Sequence, residues 1–258
     1  MRRGLSIIGL LVSVACMLAL TALMLEGISS GGGAVGTGGG KGRGGVMGSA
    51  MGLTDSINLN QIFQTLHAGR AANPRQGFPH PSRYTHDKAD DTSAALWSLL
   101  LSQNLFQPKM LVSALDNGYV EVYERYHYGA IDPGNGYYWD PGFSADLHSM
   151  SNVSFAHMPL HGRRKEHWTG WTMDSSFPII GNRGPEDGVE SFDSVTCPDG
   201  RWQGAVVFGD GHVKTLKGVG DFDGGRDNLF MLEEEGGRDA ILGFTESMYP
   251  SGPRFIWD

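Results

Sequence analysis

The sequence predicts an α+β protein: an N-terminal transmembrane helix, a Gly-rich tether, and an exported domain in which helices pack on an antiparallel sheet. Three observations predict it. Leu5 to Leu25 carries no charge over 21 residues; ten of the fifteen residues from Gly31 to Gly45 are Gly; and helical spacing gives way after Met110 to β-type alternation and turn signals. Gly and Pro together make 39 and 12 of the 258 residues, which argues against an all-helical bundle. The net charge of −8 leaves no electrostatic footprint for nucleic acid, so nucleic acid is not an expected partner.

At ~1.5 Å per residue the uncharged run spans about 31 Å, one bilayer core. It is too long for the apolar part of a cleaved secretory signal and ends in Met24-Leu25-Glu26 rather than at a small-residue cleavage site. Arg2 and Arg3 keep the N-terminus cytoplasmic by the positive-inside rule, so everything after Glu26 is exported. The expected organisation is a transmembrane helix over 5–28, a linker over 29–52 and an exported domain over 53–258. The expected location is the inner membrane, single-pass, with the domain in the periplasm.

Basic residues and Gly4 ahead of Leu5-Ser6-Ile7-Ile8-Gly9-Leu10-Leu11-Val12 resemble the class III signal of type IV pilins and type II secretion pseudopilins. The resemblance implies a leader over residues 1–4, cut by a prepilin peptidase between Gly4 and Leu5, and methylation of the new N-terminus. It also implies other pilin-like subunits or envelope components as partners. The fifth mature residue of that family is usually a Glu thought to pair with a neighbouring subunit's amine; this chain has Gly9 there.

The tether cannot remain helical, since each Gly costs about 1 kcal/mol relative to Ala. This departs from an ordinary pilin, whose first helix continues into the globular head. Beyond the tether, Leu59, Ile62, Phe63 and Leu66 recur at helical spacing, with Ser56 as cap and Gly69 as stop. A second helix is expected from Thr92 to Gln103, capped by Thr92 and burying Leu96, Trp97, Leu100 and Leu101. Asn73 to Asp91, rich in Pro and polar residues, reads as a loop. Tyr119 to Tyr123 alternates after Asp116-Asn117-Gly118 and reads as a strand. The clearest signal is Asp210-Gly211 between Ala205-Val206-Val207-Phe208 and Val213-Lys214-Thr215-Leu216, a β-hairpin with a two-residue turn of positive φ angles.

That hairpin is similar to the end of prepilin-like proteins of planctomycete-type bacteria, which carry a His, nine residues, then Asp-Gly. Gly200 stands at the His position here. Leu96 to Leu101, Ser154 to Ala156 and Ser176 to Pro185 resemble the same family in the same order. The resemblance implies a pilin-like exported domain; the apolar strand residues Val206, Phe208, Val213 and Leu216 flanking Asp210 and Gly211 make these two a structural turn rather than a site.

Chemistry-bearing motifs are sparse. Gly31-x-Gly33-x-x-Gly36 follows no strand and is low complexity. His157-x-x-x-His161 has metal-ligand spacing, but Pro159 lies between and no Glu follows His157. His161, Arg163, Arg164, Lys165 and His167 read as a solvated basic loop, and Cys197 as an inert, partly buried thiol. Asp221, Asp223 and Asp227 lie in a Gly-rich turn suited to a hard cation, and major pseudopilins hold calcium in a late loop. A calcium site and a solvated acidic turn, which the composition favours, both stand.

The expected function is a non-catalytic, membrane-anchored prepilin- or pseudopilin-like structural or interaction protein of a type II secretion or type IV pilus-like assembly. The alternative is a tethered module recognising a glycan or another envelope ligand through Trp139, Trp168, Trp171 and Trp202. Behind both stands a metal-dependent exported enzyme using the central histidines.

Overall fold

In the computed structural model, residues 46–72, 77–116, 120–162, 164–169, 174–222, 227–232, 241–249 and 252–257 are described. They belong to the unit Gly42–Asp258. Gly4, Leu5, Gly9 and the apolar run lie outside the described residues, among which no helix is long and apolar enough to cross a membrane.

The elements follow the order α1 (Val46–Ala72), α2 (Ser82–Thr85), α3 (Ser93–Ser102), β1 (Phe155–His157), α4 (Arg164–Thr169), β2 (Pro178–Asn182), β3 (Gly204–Phe208), β4 (Val213–Leu216), β5 (Phe244–Tyr249) and β6 (Gly252–Ile256). Mixed helix and antiparallel sheet is therefore the fold class. The first four strands form one antiparallel sheet in the order β1-β2-β3-β4, and β5 and β6 form a separate hairpin. The edge of β1 meets the start of β5 through His157 and Gly243, whose backbones exchange hydrogen bonds of 3.2 and 3.1 Å.

The long helix α1 presents Leu59, Ile62, Phe63 and Leu66 to the sheet, all buried, as their i, i+3, i+4, i+7 spacing requires. It covers mainly β3 and β4. It begins at Val46, inside the stretch expected to be linker, and runs through Gly69 to Ala72. Ser56 is accordingly no cap: it lies within the helix and its hydroxyl donates to the Gly52 carbonyl at 2.9 Å. The apolar burial that anchors the helix lies in its second half, where Leu59, Ile62, Phe63 and Leu66 each stabilise it by about 1.5–3 kcal/mol, while Leu53 and Ile57 in the first half are half exposed.

Helix α3 lies where the sequence places it. Thr92 is extended and its hydroxyl accepts from the Ala95 amide at 3.3 Å, while Gln103 closes the C-terminal end. Leu96, Trp97, Leu100 and Leu101 are fully buried. The expected loop 73–91 holds two short helical turns among its described residues, α2 and a 3-10 turn at Lys88–Asp90. The expected strand at 119–123 is a correction: its described part makes only one parallel bridge, Val120 to Ser151. Glu121 and Val122 are exposed, and alternation without a neighbouring strand leaves the ladder unpaired.

The β3–β4 hairpin is present, in register Gly204↔Leu216, Ala205↔Thr215, Val206↔Lys214 and Val207↔Val213. Its connection differs from the expected two-residue turn. The Gly211 amide donates to Phe208 at 2.8 Å and the Phe208 amide to His212 at 3.0 Å, which makes a three-residue loop with a bulge at Gly211. Only Gly211 takes a positive φ, +89°. The loop is seated against α1: a Cβ on Gly211 would lie 2.7 Å from the Phe63 ring, and Asn60 Nδ2 reaches the Gly211 carbonyl at 3.5 Å.

Gly211→Val should therefore lower stability by roughly 2–5 kcal/mol, combining left-handed strain with overpacking against Phe63. Asp210→Asn, which keeps the turn chemistry, should cost less than about 1 kcal/mol and leave function intact. Thermal unfolding of both variants beside an assembly assay checks this; a stable but inactive Asn variant would show Asp210 to be a working carboxylate.

Candidate functional site

Asp210 is exposed at the tip of the β3–β4 loop. Its Oδ1 accepts from the His212 amide at 3.1 Å and from His212 Nδ1 at 2.6 Å, and the His212 ring stacks on Phe208 with centroids 4.5 Å apart. Slight burial pushes the carboxyl up, but the His212 hydrogen bonds outweigh it and hold it below the usual range. These partners of Asp210 belong to its own turn, an arrangement that fixes the loop.

Position 200, where the sequence has Gly, takes a conformation suited to that residue. Gly200 ends the turn begun at Cys197, with a 2.8 Å bond from its amide to the Cys197 carbonyl and φ of +73°. A Cβ there would lie 2.7 Å from the Phe192 ring. A histidine at 200 would need a strained backbone and displacement of that ring.

The two spaced histidines do not form a pair on a helix. His157 is in β1, fully buried, between Trp97 and Trp168. Its Nδ1 donates to the Met158 carbonyl at 2.7 Å, so Nε2 is the acceptor for the Ser93 hydroxyl, also at 2.7 Å. Ser93 Oγ in turn accepts from the Thr245 amide at 2.8 Å. This Ser-His contact ties α3, β1 and β5 together, and water and substrate are excluded from it by burial. Burial depresses the His157 pKa to about 4, against the opposing pull of Met158 and Asp91. His161 packs on Phe255, and burial followed by the nearby Arg164 charge depresses it likewise to about 4. Among the described residues no group of three or more His, Cys, Asp or Glu side chains is placed to hold a metal.

The basic segment is not a solvated loop. Arg164 is fully buried, and Lys165 Nζ lies 3.0 Å from Asp91, itself only 2% exposed. Asp91 also accepts from the Ser82 amide at 2.9 Å and the Ser82 hydroxyl at 2.7 Å. Burial raises its pKa, but the His80 ring 3.6 Å away and hydrogen bonds from Ser82 and Lys165 prevail and bring it to about 2. Arg163 lies outside the described residues.

A second polar node fastens α1 to the body. Asp55, fully buried on α1, accepts through Oδ2 from the Ser113 hydroxyl and from Asn182 Nδ2, the latter at 2.9 Å; its Oδ1 has no partner among the described residues. Burial raises its pKa, with Asp116 pushing the same way, while Ser113 and Asn182 pull it down. Beside it Asp116 and Arg183 make a buried ion pair at 2.6 Å. A cavity of about 30 Å³ lined by Ser113, Asp116, Ser154, Asn182 and Arg183 adjoins both, large enough for water rather than for a substrate.

The acidic turn is described only in part. Asp221 Oδ2 accepts from the Lys217 amide at 3.1 Å and Asp227 Oδ1 from the Asn228 amide at 2.7 Å, whereas Asp223 lies outside the described residues. Cys197 is a buried free thiol. Of the tryptophans expected on a binding surface, Trp168 and Trp202 are core residues at 0% and 1% exposure, Trp171 lies outside the described residues, and Trp139 remains partly exposed. Indole bulk explains the correction, since each ring buries more apolar area than any other side chain and meets its one donor need with a carbonyl, Pro79 for Trp168 and Arg183 for Trp202.

Comparisons of the chain with models of known families, with curated proteins and with solved structures gave no match.

The depressed histidines set a pH response. A neutral buried His binds fewer protons folded than unfolded between its folded pKa of about 4 and its free value of 6.5. Its stabilisation is complete above pH 6.5 and is lost as pH falls towards 4, by up to about 1.4 kcal/mol per unit for each such group. Asp91 acts lower, between 3.8 and about 2. Asp55, raised, acts in the opposite sense: its stabilisation is present below 3.8 and lost as pH rises through its folded pKa. Thermal unfolding from pH 7.5 to 4 should show a falling unfolding temperature with a shallower fall in His157→Gln; equal slopes would contradict burial of a neutral His157.

Proposed function

We propose that the chain is a membrane-anchored, exported, prepilin-like protein with a structural or interaction role and no catalysis, held in the inner membrane by residues 5–28. The observation that carries the reading is the order of its parts. Arg2-Arg3-Gly4 precedes 21 uncharged residues, and the long helix α1 that follows lies across an antiparallel sheet ending in an Asp-Gly hairpin. Side chains of the types that do catalysis are engaged in the core: Ser93 and His157 with each other, Asp55 with Ser113 and Asn182, and Cys197 in the apolar cluster. These engagements favour a structural role for each.

In this proposal the prepilin peptidase cuts between Gly4 and Leu5, Gly9 limits pairing with neighbouring subunits, and calcium is an optional occupant of the turn at Asp221, Asp223 and Asp227. Mass spectrometry of the mature protein from cells containing the peptidase should find Leu5 at the N-terminus, methylated. An intact Met1, or cleavage after residue 20, would remove the main support for the reading.

A further inference from the structure

Six of the eight tyrosines fall between residues 119 and 138, followed at once by Trp139. From Tyr123 to Gly142 the only large hydrophobic side chains that are strongly exposed are aromatic: Tyr128 at 47% and Tyr137 at 60%. Tyr84 of α2 joins them, with its ring 5.6 Å from that of Tyr138, which lies 6.4 Å from that of Trp139. All three are partly exposed. The Tyr84 hydroxyl is held by Gln103 Nε2 at 2.7 Å.

In the same segment, Asp132 and Tyr137, the residue before Tyr138, close a loop by exchanging backbone hydrogen bonds of 2.8 and 3.0 Å. On it the exposed Asp132 carboxylate receives Asn135 Nδ2 at 2.7 Å. A carboxylate and a carboxamide, locked together next to an exposed ring, offer acceptors and donors at fixed separation.

We propose that this ledge, Tyr84, Tyr137, Tyr138 and Trp139 with Asp132 and Asn135, binds a neutral glycan chain. Flat rings suit the C–H faces of pyranose sugars, and the Asp132–Asn135 pair suits the paired hydroxyls at their edge. A folded protein partner would have to desolvate the exposed Asp132 carboxylate and pair it again. An acidic glycan is opposed by Asp132 and by the net charge of −8. The inference does not depend on how the N-terminus is processed.

The test uses the full chain in a detergent without a sugar headgroup, titrated with cellohexaose, chitohexaose and maltohexaose, with hexagalacturonate and an unfolded casein peptide as competitors. The expected result is saturable binding of at least one neutral hexasaccharide, weakened about tenfold in Tyr137→Ala and in Asp132→Ala, whose side chains are exposed, with an unchanged unfolding temperature. Binding of none of the three, binding indifferent to both substitutions, or preference for the acidic sugar or the peptide would overturn the proposal.

Discussion

The seating of the β3–β4 turn on α1 is the contact on which the rest of the body depends. A helix as long as α1, with glycines at 48 and 52, is held by its buried face rather than by propensity. That face can close on the sheet only if the chain turning beneath Phe63 has no side chain at position 211. The positive φ at Gly211 and the missing Cβ meet the same need: one lets the strand reverse with its native twist, the other lets an aromatic ring lie directly on the backbone. Strands β3 and β4 are thereby fixed against the helix, β2 is fixed against β3, and β1 carries the link to β5.

Buried polar contacts then choose among the ways such an apolar layer could slide. Asp55 reaches two segments far away in sequence, Ser113 and Asn182, and Ser93 with His157 joins a helix to the inner edges of both sheets. Each costs desolvation and is individually a weak source of stability. Their value is positional, since a slipped helix would leave a carboxylate or an imidazole unpaired in the core. The raised pKa of Asp55 and the depressed pKa of His157 are consequences of that placement, not evidence of chemistry.

What the sequence made legible was local. Thr92 followed by an apolar run signals α3 because the cap and the periodicity are both nearest-neighbour effects, and Asp-Gly signals the hairpin because few residues accept φ above zero. The start of α1 was not legible, since the apolar periodicity that marks the helix begins only at Leu59, well after the two glycines. Strands β1 and β2 are too short and too fully buried to alternate, whereas 119–123 alternates and its described part makes only the single bridge from Val120 to Ser151. The polar nodes were invisible for a plainer reason: Ser93 and His157 are 64 residues apart, Asp55 and Asn182 127. The aromatic ledge was half legible. Trp139 was singled out, but its companions are tyrosines brought together by loops, and the tryptophans expected beside it went to the core.

The most direct test of this account is a double-mutant cycle between Phe63→Ala and Gly211→Ala, read by chemical denaturation. If the turn and the helix are one packing unit, the alanine at 211 costs at least about 1 kcal/mol less once the Phe63 ring is gone, because the methyl group then has room and only the backbone strain remains. Additive effects, agreeing within about 0.5 kcal/mol, would mean that the turn does not bear on the helix and would contradict the account.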